Sequence, residues 1–180
     1  MEKKYRLLEN DTITVNDKTL YRIEALKDFA GVKKGDKGGY VEKEENLSHE
    51  GNCWVHGNAR VYDNALLSDN ACVCGNAWVY GNACVYDNAC VYDNACVCGN
   101  ALVYDNAQVY GYAQVYGNAR VSGNARVYDN ARVYGNAQYM AVLGYMATLR
   151  YMAVLGYMAM LGYLTTLVYM AMLRCLTMLV

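Results

Sequence analysis

A chain of 180 residues is long enough for one domain with attachments, and its net charge of −1 gives no electrostatic argument for binding nucleic acid or an anionic membrane. It contains no proline, which suits uninterrupted strands. Residues 1–6 are not followed by an apolar stretch, so we predict no signal peptide and a cytoplasmic protein. In that compartment the eight cysteines are expected to be free thiols.

Residues 1–44 are charged and mixed in composition, and they predict a small N-terminal β cap. Residues 12–15 and 20–23 alternate between apolar and polar like strands, around an Asn16-Asp17 turn. The glycine-rich stretch 33–41 reads as a turn leading into the next segment. It has no lysine followed by serine or threonine, as a phosphate-binding loop would.

A six-residue phrase then repeats without insertion or deletion from residue 51 to 138. It consists of valine, tyrosine, a Gly-Asn or Asp-Asn pair, alanine and a variable residue, as in residues 61–66 and 127–132. A strict period of six does not match a helix and predicts a parallel β-solenoid. The two-residue pair should turn the chain, since glycine, asparagine and aspartate tolerate positive φ.

Alternation along each short strand predicts which side chains face inward. Alanine and valine share the inner face, and the variable residue and the tyrosine share the outer one. Cys53 takes an alanine position and is expected in the core. The predicted interior also includes Ala59, Val61, Ala77, Val79, Ala95, Val97, Ala113 and Val115.

The valine and the alanine four places later, as in residues 61–65 and 79–83, resemble the pattern of hexapeptide-repeat proteins. This resemblance implies a single-stranded left-handed parallel β-helix with three sides per coil. Residues 45–137 would form about five such coils at the usual strand spacing. Tyrosine after the valine departs from the pattern of the family.

Several N-terminal segments add a second resemblance: residues 5–7, 20–23, 38–41 and 46–54 look like the leader of hexapeptide-repeat proteins carried by prophages. Those proteins are described as polymer-forming proteins or as acyltransferases, largely by fold. The resemblance covers about residues 4–137. It implies either a structural rod or an acyl-transfer enzyme.

The acyltransferase interpretation needs a histidine base, and the chain offers only His49 and His56. His49 lies at the junction with the cap, and His56 replaces the tyrosine of the first full phrase. Related enzymes build their site with a loop that leaves the solenoid, and no loop interrupts the repeats. We therefore favour a non-enzymatic rod and expect no cofactor.

The cysteines raise the question of a metal site. A coil of 18 residues places Cys72 beside Cys90, with Cys74 on the same outer face; Cys96 and Cys98 form a similar pair. Three close thiols could hold zinc or copper. Alternatively, the cysteines arose by neutral mutation at tolerant outer positions, because one base change converts a tyrosine or arginine codon to cysteine. We favour this second interpretation.

The outer tyrosines are predicted to form ladders, and arginines cluster late in the repeats at residues 120, 126 and 132. Aromatic and arginine side chains are enriched in protein interfaces. Nearby aspartates argue against a basic track for nucleic acid. We predict self-association, or binding of a protein partner, through a side or an end of the rod.

In residues 138–180 the phrase changes but the period of six persists: Tyr-Met-Ala-Val-Leu-Gly repeats from residue 139. Shifting the reading frame of the repeat codons by one base gives this amino-acid sequence. We therefore interpret the tail as the same repeat read out of frame, through mutation, programmed slippage or sequence error. Leucine and tyrosine would replace the inner alanine and valine, so the solenoid is expected to end near Gln138. The tail is predicted to be helical or disordered, and a membrane anchor in residues 151–173 stays as an alternative.

Overall fold

The protein is described by a computed structural model that covers residues 2–141, 150–153 and 157–159. A short 3₁₀ helix spans Glu44–Asn46. The strands in chain order are β1 (Tyr5–Val15), β2 (Lys18–Ala25), β3 (Lys37–Val41), β4 (Trp54–Val55), β5 (Arg60–Val61), β6 (Leu66–Leu67), β7 (Cys72–Val73), β8 (Trp78–Val79), β9 (Cys84–Val85), β10 (Cys90–Val91), β11 (Cys96–Val97), β12 (Leu102–Val103), β13 (Gln108–Val109), β14 (Gln114–Val115), β15 (Arg120–Gly123), β16 (Arg126–Val127), β17 (Arg132–Gly135), β18 (Gln138–Ala141), β19 (Arg150–Ala153) and β20 (Tyr157–Ala159).

The repeats form a three-sided parallel β-solenoid of about six turns, which confirms the predicted all-β fold. Each strand pairs with the strands 18 residues away, as Cys96 does with Trp78 and Gln114. We name the outer surfaces by their strands. Face A consists of β5, β8, β11, β14, β17 and β19; face B of β4, β7, β10, β13 and β16; face C of β6, β9, β12, β15, β18 and β20.

The core is a column of alanine and valine, as the alternation predicted. All eight residues named above, from Ala59 to Val115, have no exposed surface, and Cys53 is likewise buried. Small alanine and medium-sized valine together fill the narrow interior, so the tube has little room for a larger residue.

Most repeats form a strand of only two residues. The alanine is the reason. Its N–H donates to a carbonyl within the preceding turn, as Ala65 N–H does to the carbonyl of Tyr62. This N–H is therefore not available for a hydrogen bond to the neighbouring coil. Positive φ occurs at the first residue of each pair, for example 61° at Asp63 and 74° at Gly81. Both residue types fit because glycine has no Cβ and aspartate tolerates this region.

The asparagine of the turn extends the ladder to the corners. Asn64 donates to Asn82 at 3.2 Å, and Asn82 donates to Asn100 at 3.0 Å. The aspartates add a second row: Asp63 Oδ2 accepts the N–H of Gly81, one coil on, at 3.0 Å. Hydrogen bonds thus link successive coils through turn side chains as well as through strands.

The N-terminal segment forms the predicted hairpin and caps the solenoid. Asn16 and Asp17 both have positive φ, 49° and 62°, as a tight turn between right-twisted strands requires. β2 pairs with β3 in antiparallel fashion, and β3 pairs in parallel with β5. The first coil therefore already begins at β3.

The tail differs from the expected end near Gln138. β18 pairs with β15, β19 with β17 and β20 with β18, all in parallel. Tyr151 takes the register position of Val133, so the period of 18 continues there. The remaining tail residues, including those at 143, 145, 149 and 155, lie outside the described part. Within that part no helix has the length and hydropathy needed to cross a bilayer.

Candidate functional site

His49 lies beneath the N-terminal strand and helps to hold it. Its ring stacks on Tyr5 with centroids 4.4 Å apart, and its Nδ1 accepts the N–H of Lys4 at 3.1 Å. Its Nε2 is buried without a hydrogen-bond partner, and the nearest carboxylate oxygen, on Glu44, is 3.7 Å away. The Tyr5 hydroxyl donates to the carbonyls of Glu44 and Leu47. His49, whose side chain is 18% exposed, thus packs against the N-terminal strand and supports it.

His56 is exposed at the start of face B. Its N–H donates to the carbonyl of Val73 at 2.8 Å, which fixes its backbone in the ladder. Partial desolvation lowers the pKa of its imidazole, so the ring is neutral at pH 7. It thus has the protonation state of a base or a metal ligand.

Cys72, Cys74 and Cys90 come together on face B. Cys72 and Cys90 are register partners on neighbouring strands, and the Cys72 thiol hydrogen-bonds with both other thiols. Hydrogen bonding with Cys72 lowers the pKa of Cys90 to about 7 and lowers that of Cys74. All three are free and partly exposed. The sequence-based grouping of these thiols therefore matches their placement.

A second pair lies on face A, where Cys96 hydrogen-bonds with Cys98. This bond lowers the pKa of Cys98 to about 6. The hydroxyl of Tyr80 also hydrogen-bonds with Cys98, and that bond raises the pKa of Tyr80. The pair thus contains one thiol that is ionised near neutral pH. The seven cysteines of the described residues are all free thiols.

Sequence reasoning missed one neighbour of the face B thiols. The register partners Trp54–Cys72 and Val55–Val73 place His56 one coil before Cys74. The signal was available, since the two positions differ by the 18 residues of one coil. As the side chains stand, no group of three or more His, Cys, Asp or Glu in the described ranges is arranged to hold a metal ion.

The tyrosine ladders exist as predicted. Tyr92, Tyr110 and Tyr128 stack on face B with centroids 4.8 and 5.3 Å apart, and Tyr86 stacks on Tyr104 on face C at 5.1 Å. Near-parallel rings at this spacing follow from in-register coils. They brace the outer surface and present ring edges and hydroxyls to solvent.

An open groove of about 650 Å³ lies between the hairpin and the 3₁₀ helix. Its lining includes Glu9, Glu42, Glu44 and Glu45, with Lys43 as the one cation among its lining residues. Lys18 pairs with Glu42 at 3.1 Å. The excess of carboxylates would repel the phosphates of an acyl-coenzyme A, so the groove does not suit that substrate.

A family model and a curated relative each match part of the chain. A family model described as the YdcK β-solenoid repeat matches residues 95–111, 113–126 and 125–139. The chain is also similar to a protein named "Uncharacterized acetyltransferase YdcK" from Escherichia coli strain K12, with 36% identity over 61 residues. That match covers 30% of this chain and 19% of the relative. Together with the observed solenoid, these matches support a β-solenoid of the hexapeptide-repeat type.

Proposed function

We propose that the protein is a rigid rod that associates with a second copy of itself through face C. The observation that carries the proposal is an apolar row at the outer strand positions. Leu66, Cys84 and Leu102 are in-register partners on three successive coils. Leu66 is 47% exposed and the other two are half-buried, and a contiguous apolar row marks a binding surface more often than a single apolar residue does.

The stacked pair Tyr86 and Tyr104 widens this row. Their side chains are partly exposed on the same strands as Cys84 and Leu102, two positions along. Face A is less available near the cap, because Tyr62 is buried there against Val15 and Leu20. Face C therefore offers an apolar surface that the hairpin cluster does not reach.

Charges beside face C suit a second copy in antiparallel orientation. The corner that follows its strands carries Asp69, Asp87 and Asp105, and the face itself carries exposed Arg120 on a later coil. In a two-fold pair, the arginine end of one copy lies toward the aspartate end of the other. Such complementarity fixes register and orientation.

Sedimentation equilibrium of the full chain tests this proposal. The weight-average mass should rise above the 20.1 kDa of a monomer with increasing concentration. The double variant Leu66→Lys, Leu102→Lys should stay monomeric, because two charges enter the apolar row. Gln108→Lys with Gln114→Lys places the same charges at matching strand positions on faces B and A, and this control should associate like the wild type. Equal masses for both double variants would contradict the use of face C.

The proposal also covers the cellular location, the origin and the assembly size of the protein. The free thiols of the described residues suit a reducing compartment and support a cytoplasmic location. The leader resemblance supports a phage-derived origin. A polymer rather than a dimer would follow if a further surface also joins copies, and the same sedimentation data would show masses beyond that of a dimer.

Acyl transfer is the second candidate, and the name of the E. coli relative favours it. Against it stand the buried Nε2 of His49 and the acidic groove. Calorimetric titration with acetyl-coenzyme A separates the candidates: a rod gives no saturable heat. Saturable binding, with acyl transfer that disappears in His49→Ala or His56→Ala, would establish the enzyme instead.

A further inference from the structure

Face B carries two cysteines that lie opposite each other on neighbouring strands. Cys72 of β7 is the register partner of Cys90 of β10, and both occupy the outer position before a buried valine. Adjacent strands are about 4.8 Å apart, so the two Cα atoms lie within the span of about 4.4–6.8 Å that disulfides require. Among the described residues, no other two cysteines face each other in this way.

The third thiol of this face, on Cys74, is less well placed for a disulfide. Two residues of strand separate the Cα atoms of Cys72 and Cys74 by about 6.6 Å, at the upper end of that span. One strand spacing and two residues together separate Cys74 from Cys90 by about 8 Å, which a disulfide does not bridge unless the backbone moves. The pair Cys72–Cys90 therefore requires the least rearrangement.

The two paired thiols differ in the way that a nucleophile and its partner need. Hydrogen bonding with Cys72 lowers the pKa of Cys90 to about 7, so the thiolate of Cys90 is abundant near neutral pH. Hydrogen bonds with Cys74 and Cys90 raise the pKa of Cys72, which remains a thiol. Both side chains are partly exposed, so a small oxidant reaches them from solvent. Cysteines that sense oxidants combine these features: a low pKa, access, and a second thiol nearby.

We propose that Cys72 and Cys90 form a reversible disulfide when hydrogen peroxide oxidises the protein, and that this bond closes one coil of the solenoid into a covalent ring. The Cys90 thiolate attacks a peroxide oxygen and the O–O bond breaks, which leaves a sulfenic acid on Cys90 and, after protonation, one water. The Cys72 sulfur then attacks the sulfenic sulfur. The S–S bond forms, the S–O bond breaks, and the hydroxide leaves as a second water with the proton of Cys72. Two electrons thus pass from the two sulfurs to peroxide, and a dithiol reductant restores both thiols by exchange.

The covalent ring would encircle the rod near its capped end. From Cys72 to Cys90 the chain makes one circuit of the three sides, so the bond joins the start of a coil to the start of the next. Such a cross-link stabilises a fold mainly by restricting the unfolded chain. In a reducing compartment the pair rests as thiols and links only under oxidant, as transient disulfides do there. The pair lies on face B and does not depend on the association proposed for face C.

Peptide mapping of the peroxide-treated, reduced full chain tests the pair, with remaining thiols blocked by N-ethylmaleimide before cleavage on the N-terminal side of aspartate. The wild type should yield residues 69–86 linked to residues 87–92, from a chain that migrates as a monomer on a non-reducing gel. Dithiothreitol should reverse the link. Cys72→Ser should lose the link and leave a sulfenic acid on Cys90 that dimedone labels. Cys74→Ser is the matched control, because it removes the other outer thiol of the same face and should keep the link.

Cys98 serves as the internal measure of oxidation, because its pKa is about 6 and it faces Tyr80 rather than a cysteine on the preceding coil. A wild type that stays unlinked although Cys98 has been oxidised would overturn the proposal. A link that survives in Cys72→Ser, or that occurs only in covalent dimers, would overturn it as well.

Urea unfolding gives a second readout of the covalent ring. The midpoint of the linked wild type should lie at a higher urea concentration than that of the reduced protein. The same peroxide treatment should not raise the midpoint of Cys72→Ser. An unchanged midpoint in the fully linked wild type would show that the bond does not secure the coil.

Discussion

The ammonium of Lys4 lies 2.9 Å from the carbonyl oxygen of Cys53 and 3.3 Å from its thiol sulfur, in a site with no exposed lysine surface. The same ammonium is 3.3 Å from the carbonyl of Glu50. Lys4 thus supplies hydrogen-bond donors to backbone carbonyls at the capped end. The cap is attached through a buried charge as well as through strand pairing.

Replacing Lys4 by methionine should lower the free energy of unfolding by about 3 kcal/mol, because buried carbonyls lose a charged donor. Lys3→Met is the neighbouring control. Lys3 makes only an exposed pair with Glu44, so its loss should cost about 0–1 kcal/mol. Urea unfolding followed by circular dichroism measures both. Similar midpoints for the two variants would show that Lys4 does not secure the cap.

The alanine column makes a strong prediction about size. Ala95→Phe should destabilise the protein by about 1–3 kcal/mol or more, because the tube is filled and an added ring forces backbone shifts. Gln114→Phe adds the same ring to the neighbouring strand at an outer position and should change stability little. Thermal unfolding of both variants measures the difference. A harmless phenylalanine at position 95 would mean that the interior is not packed as described.

One residue interrupts the asparagine ladder and can be repaired. Asn76 donates to Asn94 at 3.3 Å, but the next position along this corner is Tyr112, which is 65% exposed. Tyr112→Asn should raise the free energy of unfolding by about 1 kcal/mol, the usual net value of one added hydrogen bond. Asn82→Ala, which breaks two ladder bonds, should change stability in the opposite direction. A destabilised Tyr112→Asn variant would contradict a stabilising role for the ladder.

The face A thiols predict a pH dependence. Hydrogen bonding from Cys96 lowers the pKa of Cys98 to about 6, whereas burial raises that of Cys84 above 9.0. Only the thiolate is alkylated, so iodoacetamide should modify Cys98 increasingly from about pH 5 to 7 and then level off. Cys84 should react appreciably only above pH 9. Peptide mapping by mass spectrometry gives both profiles. In Cys96→Ala the Cys98 profile should move to higher pH, and an unmoved profile would count against the assigned hydrogen bond.

Much of the fold follows from the repeat alone. Alternation along a strand places Ala95 and Val97 inside, and the Asn16-Asp17 pair predicts the hairpin. The position of Lys4 could not be foreseen, because it depends on a contact with a residue 49 positions away. The position of His56 beside Cys74 could be predicted by adding the 18 residues of one coil. The short spacings that are familiar from metal sites do not reveal it.

In the tail, hydrogen bonding of the backbone outweighs the unfavourable size of the inner side chains. Large inner residues were expected to stop the solenoid near Gln138, yet β19 and β20 still pair in register. Parallel pairing satisfies the exposed N–H and C=O groups of the last coil whatever the side chains are. The volume of a side chain predicts how much it destabilises the packed interior. The solenoid ends only where this destabilisation exceeds the stabilisation from the hydrogen bonds between coils.

The most direct test of the rod's self-association is the solution mass of residues 1–137, since this fragment retains the apolar row on face C and lacks the apolar tail. Its circular dichroism should show the same β structure as the full chain. Sedimentation equilibrium should then give a mass that increases with concentration toward at least a dimer, and Leu102→Lys should weaken this association. A folded fragment that remains strictly monomeric over a wide concentration range would contradict the account.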